Sequence, residues 1–479
     1  MNRSMGKVFI VTVVLFVALI VNLTWIMAGR AQWYQDRPEN KRSIAKEMKI
    51  KRGDILGYDG AVIAGTDRRS GYYYRDYPNG TIAPQLIGYD SVRYGRSGIE
   101  AQLNDVLTGQ ASDLGVQNWV DKMLGRRPKG ADVKLTLVTR VQKAAQQQLR
   151  GKKGAIVVLD PKTGALIASA SAPTYDPANL EDRWTPLSKD ASAPLLNRPT
   201  QGLYVPGSAF KVVTGSAGLD TGKVTPDSDF IDTGTYVVFG GKVTNYGGAI
   251  YGPNTFTEAM TLSINTTFAK VGNRLGKKRL IAGAERYGFY QTPPLELPAG
   301  EVLPSGRYGK NGLLSPGAFM DPLAVAWAAC GQERLLATPL QMALVAAGVA
   351  NSGRVMKPYY LQEVVTADGK VVRTTQPEQW LAATETATAS ELNLMMQRVV
   401  NAGTATAAAL QGIQVAGKTG TAEKGDGTNL AWFIGFAPAD DPQVAIAVVV
   451  EDTQSTGGEA AAPLAANVIK TALAQPSLP

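Results

Sequence analysis

The chain of 479 residues contains no histidine and a single cysteine, Cys330. Without histidine a Ser-His-Asp triad cannot form, so any activated serine needs another base. One cysteine excludes an internal disulfide and a zinc site built from several thiolates. Cys330 ends the apolar run LAVAWAAC, which predicts a small buried core residue.

The charge is moderate and spread along the chain. Lysine and arginine number 49 and aspartate and glutamate 40, a net charge of +9. The basic residues form no zinc-finger or aromatic RNA-binding signature, so we expect no nucleic-acid partner. With 44% hydrophobic residues the chain can build sizeable cores, and its length predicts two or three domains.

The N-terminus carries a long apolar run, VFIVTVVLFVALIVNLTWIMA, at residues 8–28. Its 21 residues are long enough to cross a bilayer. A cleaved signal peptide is usually shorter, and a buried core helix would not be flanked by Arg3, Lys7 and Arg30. We therefore expect an uncleaved, single-pass anchor. Basic residues flank both ends, so orientation rests on the ease with which long domains are translocated: residues 1–7 inside and the rest outside.

The composition shifts twice beyond the anchor. Residues 29–131 are polar and turn-rich, and KRGDILGYDGAVIAG predicts two short strands around Tyr58, Asp59 and Gly60. From Asp132 onward, TRVQKAAQQQLR predicts a helix, GAIVVLDPKTGALIASAS a hairpin, DPQVAIAVVVED a buried strand and PLAANVIKTALA a helix. This order predicts an α+β domain at 132–479, with helices on a mainly antiparallel sheet, preceded by a pedestal at 29–131.

The segment YVPGSAFKVVTG places Ser208 and Lys211 three residues apart at a predicted helix start. At that spacing the two side chains share one face, and the helix N-terminus offers N–H groups to a developing oxyanion. To accept a proton, Lys211 must be neutral part of the time. Its pKa must therefore be lowered by desolvation or by a nearby positive charge.

Two further segments supply polar partners. VAGKTGTAE predicts an edge strand that carries a second cation, Lys418, between the small residues Gly417 and Gly420. TLSINTTFAK holds Ser263 and Asn265, which suit a proton relay and an amide contact. Each element alone would more often be a helix cap, a solvated lysine or an ordinary turn. The ordered set S-x-x-K, S-x-N and K-T-G is a joint signature of penicillin-binding proteins and class A β-lactamases, with Ile264 at the usual aspartate.

The chain resembles the class B penicillin-binding proteins, the monofunctional D,D-transpeptidases of bacterial cell-wall synthesis, and most closely the actinobacterial type associated with septation or growth. The resemblance runs almost end to end, through RGDILGYDGAVIA, GIEAQLNDVLTG, APTYDP, NRPTQGLYVPGSAFK, ATPLQMALVAAGVANSGRVMKP, VVNAGTATAAALQGIQVAGKTGTAE and AWFIGFAP. One departure is Glu333, after Gly331 and Gln332, where the family pattern has glycine. It changes a loop and no catalytic position.

The resemblance implies a set of catalytic roles. Ser208 would be acylated by the terminal D-Ala-D-Ala of a stem peptide, with Lys211 as the base. Ser263 would pass the proton to the leaving D-Ala, Asn265 would hold the peptide amide, and Lys418 would support the network electrostatically.

The resemblance also implies a substrate-binding strand and partners. Thr419, Gly420 and Thr421 would bind the substrate carboxylate, and the backbone N–H groups of Ser208 and Thr421 would form the oxyanion hole. Expected partners are peptidoglycan stem peptides, β-lactams, the membrane and a membrane glycosyltransferase of the shape, elongation, division and sporulation family. No metal or organic cofactor is implied.

Two other functions stay open on the sequence. A serine β-lactamase or β-lactam sensor shares the three motifs but would not normally carry an anchor and a pedestal. A non-catalytic scaffold that activates a cell-wall glycosyltransferase would have no need of Ser208, Lys211 and Lys418.

Overall fold

The structure, a computed structural model, describes residues 3–29, 48–111, 123 and 129–479. Its strands are β1 Ile55–Leu56, β2 Val62–Arg69, β3 Tyr72–Asp76, β4 Asp90–Ser91, β5 Gly95–Arg96, β6 Asp132–Leu135, β7 Lys153–Leu159, β8 Leu166–Ala172, β9 Asp229–Asp232, β10 Thr235–Val238, β11 Gly241–Thr244, β12 Gly252–Thr255, β13 Gly306–Gly309, β14 Gly312–Leu313, β15 Leu335–Leu336, β16 Arg354–Met356, β17 Leu361–Val365, β18 Val371–Thr374, β19 Gln379–Ala382, β20 Ala416–Glu423, β21 Asn429–Ala437 and β22 Val444–Thr453.

The α-helices are α1 Arg3–Thr24, α2 Pro84–Ile87, α3 Gly98–Gln102, α4 Asn104–Leu107, α5 Thr139–Gln148, α6 Leu180–Lys189, α7 Arg198–Gln201, α8 Lys211–Asp220, α9 Phe256–Thr261, α10 Asn265–Arg286, α11 Pro322–Ala329, α12 Pro339–Ala350, α13 Thr386–Ala402, α14 Gly457–Ala460 and α15 Ala462–Leu473. Asp321 and Thr338 cap α11 and α12 through their side chains, and a proline follows each cap.

The N-terminal helix matches the predicted anchor. Residues Met5–Met27 are long and apolar enough to cross a membrane by length and composition, and their most apolar stretch is not buried against the rest of the structure. The helical segment contains most of the predicted span. The flanking residue Arg30 lies outside the described residues.

The pedestal is built on a six-stranded sheet in the order β18-β17-β6-β1-β2-β3. The predicted pair of short strands is confirmed as β1 and β2, joined by a turn in which Gly60 N donates to Gly57 O. Ile55, Val133 and Val364 lie side by side across the sheet, and all three are fully buried. The sheet therefore takes strands from both sides of residue 132, the expected domain boundary.

Two pedestal motifs meet in a buried ionic cluster. Arg52 comes from RGDILG and Glu100 from GIEAQL, and the Arg52 guanidinium lies 2.8 Å from the Glu100 carboxylate. Arg75 of β3 contacts the other oxygen of Glu100, which has no exposed side-chain surface. A buried carboxylate needs such counter-charges, so the two motifs depend on each other for the fold.

The C-terminal part is organised around a five-stranded antiparallel sheet in the order β20-β21-β22-β7-β8. The predicted hairpin, the buried strand and the two helices are confirmed as β7–β8, β22, α5 and α15, and β20 is an edge strand as expected. Helix α12 packs on β7, β21 and β22, while α15 packs on β22 and α5. Helices α8, α10 and α11 pack together beyond the edge strand. The predicted α+β class is confirmed.

Candidate active site

The sequence around Ser208 forms a 3₁₀ turn, Gly207–Phe210, that leads directly into α8 at Lys211. The predicted helix start is therefore present, with the serine in the turn ahead of the helix proper. Gly207 has a φ of +51°, and a Cβ there would lie 2.9 Å from the carbonyl oxygen of Thr421. Glycine is needed at this position because the chain combines left-handed backbone with close packing on β20.

Lys211 is fully buried beneath the cleft and donates three hydrogen bonds. Its Nζ lies 2.7 Å from the Ser263 carbonyl oxygen, 3.2 Å from Ser263 Oγ and 2.7 Å from Asn265 Oδ1. Ser263 adopts a φ of +60° at the junction of α9 and α10, and Asn265 begins α10. The S-x-x-K and S-x-N segments are thus joined through one amine.

Lys418 is the second fully buried cation of the site. Its Nζ donates to Ser263 Oγ at 2.9 Å and to the Thr419 carbonyl oxygen at 3.1 Å. Because Ser263 Oγ accepts from both lysines, its own hydrogen is left for a third partner in the cleft. The three motifs therefore converge on one hydroxyl group.

Burial lowers the pKa of both lysines. The pKa of Lys211 falls to about 8 because burial desolvates its ammonium group, and the neighbouring Cys330 sulfur opposes this shift in part. The pKa of Lys418 falls well below its ordinary value, through desolvation and then through the positive charge of Lys211. Because the two amines share one hydroxyl in a buried site, it is unfavourable for both to be protonated at once. One amine of the pair is therefore readily neutral.

The edge strand β20 passes close to the turn Gly207–Phe210 because it carries glycine at position 420. A Cβ on Gly420 would lie 2.6 Å from the Pro206 carbonyl oxygen and 3.1 Å from the Ala209 nitrogen. Thr419 and Thr421 are the neighbours of Gly420 on β20, and both line the cleft. Any larger residue at 420 would separate the strand from the turn.

Ser208 shares a cleft of about 600 Å³ with the predicted site residues Ser263, Asn265, Thr419 and Thr421. Ser208 is half-buried, and its hydroxyl makes no hydrogen bond to any residue that the structure describes. Ser208 thus lines the cleft beside the Lys211–Ser263–Lys418 network without a hydrogen bond to it. Catalytic hydrogen bonds are often loose before substrate binds.

Several cleft residues were not singled out from the sequence. They are Thr244, Asn245, Tyr246, Tyr251, Trp327, Gln332 and Thr404. The hydroxyls of Thr404 and Thr419 lie 2.5 Å apart, so Thr404 orients a predicted substrate-binding side chain. Threonine in a loop carries no local signal for such a contact, although Thr404 lies within a segment of family resemblance.

Buried polar residues support the site from behind. The Asp232 carboxylate accepts from Gly234 N, Asn245 Nδ2 and Tyr251 N at 2.7–2.9 Å, and from the hydroxyl of Thr266 on α10. It thereby fixes the cleft loop 245–251 against the helix that begins with Asn265. Cys330 is buried as predicted, and its Sγ donates to the Asn265 carbonyl oxygen at 3.4 Å.

Comparison with known proteins places this architecture among characterised relatives. Residues 154–470 match the penicillin binding protein transpeptidase domain, and residues 52–133 match the penicillin binding protein A dimerisation domain. The chain is 35% identical to the peptidoglycan D,D-transpeptidase PbpA of Mycolicibacterium smegmatis, over 100% of both sequences.

Solved structures agree. Penicillin-binding protein A from M. tuberculosis, solved as a ceftriaxone acyl-enzyme complex, has a TM-score of 0.82 at 32% identity, over 89% of this chain and 99% of that one. The D,D-transpeptidase domain of a peptidoglycan glycosyltransferase from Eggerthella lenta has a TM-score of 0.79 at 37% identity, over 89% and 98%. With the motifs, the fold and these relatives in agreement, the chain belongs to the penicillin-binding proteins, as a class B member with a transpeptidase domain and a PbpA-type pedestal.

Proposed function

We propose that this protein is a peptidoglycan D,D-transpeptidase that cross-links stem peptides through an acyl-enzyme on Ser208. The observation that carries the proposal is the Ser263 hydroxyl, which accepts hydrogen bonds from Lys211 and Lys418 in the same cleft as Ser208. The relatives named peptidoglycan D,D-transpeptidase and the acyl-enzyme structures of a relative support the same chemistry.

Acylation begins when neutral Lys211 takes the proton of Ser208. The serine oxygen attacks the carbonyl carbon of the penultimate D-Ala, and the bond to the terminal D-Ala breaks. Ser263 donates its free hydrogen to the leaving nitrogen and is reprotonated from the lysine pair. Its hydrogen bonds from both lysines support this role as a relay. Because the pKa of Lys211 is about 8, part of the protein carries a neutral Lys211 near neutral pH, and this amine can accept the proton.

Backbone groups and β20 position the substrate in this proposal. The N–H groups of Ser208 and Thr421 stabilise the oxyanion, while Thr419, Gly420 and Thr421 present their strand to the substrate carboxylate. Asn265 holds the peptide amide; its Nδ2 donates to the Thr244 carbonyl oxygen at 2.9 Å, which fixes its orientation. Lys418 adds positive charge near the carboxylate.

Deacylation completes the cross-link. The amine of a second stem peptide attacks the acyl carbonyl and forms the new amide bond as the bond to Ser208 breaks, and the proton that the amine loses returns to the Ser208 oxygen through the lysine network. A β-lactam acylates Ser208 by opening its ring, and its leaving amine stays attached to the adduct. The acyl-enzyme then persists because the attached leaving group stays in the cleft and blocks the acceptor amine.

The protein is membrane-anchored through its N-terminal helix, and we propose that the catalytic domain lies on the extracytoplasmic side. The substrate is a wall polymer, which supports this orientation. We place a tail at 1–7, the anchor at 8–28, the pedestal at 29–131 and the transpeptidase domain at 132–479, with β17 and β18 completing the pedestal sheet. We further propose that a membrane glycosyltransferase of the shape, elongation, division and sporulation family is the partner.

Fluorescent penicillin tests the proposal. Ser208→Ala should abolish covalent labelling while the protein stays folded, because the Ser208 side chain caps no helix. Labelling that survives this change would refute Ser208 as the nucleophile. The adduct on the parent protein should last many minutes; catalytic turnover of penicillin would instead identify a β-lactamase, and a parent that never labels would favour the scaffold.

A further inference from the structure

The segment from Gly331 to Ala337 runs beside the chain that leads to Ser208 and contacts it at both ends. Gly207 N donates to the Gly331 carbonyl oxygen at 3.0 Å, and Tyr204 and Ala337 exchange backbone hydrogen bonds of 3.0 and 2.8 Å. A Cβ on Gly331 would lie 1.9 Å from the Gly207 carbonyl oxygen. A shift of this segment must therefore move the nucleophile turn, Gly207–Phe210, which carries Ser208.

Between these two contacts the backbone makes a strained turn. Glu333 and Arg334 have φ values of +56° and +60°, and Leu335 N donates to the Gln332 carbonyl oxygen at 3.3 Å. Positive φ at both central residues is the pattern of a type I′ turn, which favours glycine, asparagine and aspartate. Glutamate and arginine do not relieve this strain, so surrounding contacts must hold the turn.

Two contacts with β13 hold the turn: Tyr308 N donates to the Arg334 carbonyl oxygen at 2.9 Å, and the Glu333 carboxylate forms an ion pair with Arg307. Arg307 Nε lies 2.7 Å from Glu333 Oε2, with side chains 4% and 19% exposed. Arg307 stands on β13, which pairs with β15 directly after the turn. A guanidinium keeps its charge, so loss of the carboxylate would leave a buried cation unpaired. Glu333 occupies the position where the family pattern has glycine.

We propose that Glu333 is a positioning residue for the acylation of Ser208. Its ion pair with Arg307 holds the turn in the shape that seats Gln332 in the cleft and Gly331 against the nucleophile turn. This inference rests on the proposed function, and it assigns a role to a position at which this chain departs from its family.

Two variants separate the ion pair from the backbone strain. Glu333→Gln keeps the size and a hydrogen-bond acceptor but removes the charge, whereas Glu333→Gly also relieves the positive φ. Asp220→Asn is the matched control. Asp220 is only 4% exposed and pairs with Arg286 at 2.6 Å, and neither residue lines the cleft.

The test is stopped-flow acylation by a fluorescent penicillin, with the full chain in detergent micelles. It separates the dissociation constant of the first complex from the acylation rate constant. We expect the rate constant to fall about tenfold in Glu333→Gln, because small displacements of a nucleophile cost this much or more, and to fall less in Glu333→Gly, because glycine relieves the strain at position 333. The dissociation constant should change less than about twofold, and Asp220→Asn should keep the parent rate constant.

Three results would overturn the inference: a parent-like rate constant in Glu333→Gln, a folded Glu333→Gly that is slower than Glu333→Gln, or equal slowing in Asp220→Asn. If Glu333→Gly loses its thermal transition, the conservative Glu333→Gln decides alone. A parent protein that takes up no penicillin would instead contradict the proposed function.

Discussion

Two buried lysines define the site at the scale of the residue. Desolvation lowers the pKa of both Lys211 and Lys418, and a lysine held in this way costs stability whenever it carries its charge. The folded pKa of Lys211, about 8, lies below its ordinary 10.5, so between these values the folded state binds fewer protons than the unfolded state. The stability cost is full below pH 8 and disappears as the pH rises to 10.5.

This linkage makes a prediction for Lys211→Met. The variant's free energy of unfolding, relative to the parent, should fall by about 3 kcal/mol between pH 8 and pH 10.5, because the parent recovers its penalty there. Urea unfolding of the detergent-solubilised proteins measures the difference. Lys223→Met, at an exposed lysine, controls for effects that all variants share. A difference that stays flat across this range would contradict the lowered pKa.

The residues that meet at this cleft were predictable from the sequence, but the cause of each pKa shift was predicted only in part. Ser208, Lys211, Ser263 and Lys418 stand out because three spaced motifs occur in order in a chain without histidine. We expected burial and the positive charge of Lys418 to depress the pKa of Lys211 together. In the structure desolvation is the main cause at both lysines, and the charge of Lys211 acts on Lys418. Depth of burial depends on tertiary packing, which motif spacing does not contain.

At the scale of secondary-structure elements, the cleft forms because a strand and a turn approach each other closely. The strand β20 meets the turn Gly207–Phe210 where Gly420 leaves room for backbone atoms. We predict that Gly420→Ala slows penicillin acylation at least about a hundredfold, because the strand and the turn must separate. Gly300→Ala is the control, since its Cβ would meet nothing within 4 Å. Parent-like acylation in Gly420→Ala would show that the contact is dispensable.

Local elements were predicted well where their signals are local. The hairpin β7–β8 has turn residues between two apolar runs, and the apolar pattern of α15 has helical spacing. The pedestal boundary was harder, because β17 joins β6 from more than 200 positions later in the chain. Short strands such as β17 acquire their partners through tertiary contacts.

The shared sheet has a consequence for the whole molecule. A fragment of residues 132–479 would keep β6, β17 and β18 but lose β1, leaving Val133 and its neighbours without their partner strand. We predict that this fragment aggregates, whereas residues 48–479 stay monomeric and bind penicillin covalently. Size-exclusion chromatography followed by penicillin labelling distinguishes them. A monomeric 132–479 fragment with parent-like acylation would contradict the structural dependence on the pedestal.

The central claim for the molecule is that a lysine replaces histidine as the base for Ser208. Its most direct test is the acylation rate of Lys211→Arg by penicillin from pH 6 to pH 10, beside the parent. Arginine keeps the positive charge but cannot lose its proton in this range. The parent rate should rise through a pKa of about 8, and the variant should be at least about a hundredfold slower at every pH. A Lys211→Arg rate within a few-fold of the parent would mean that the Ser208 proton leaves by another route.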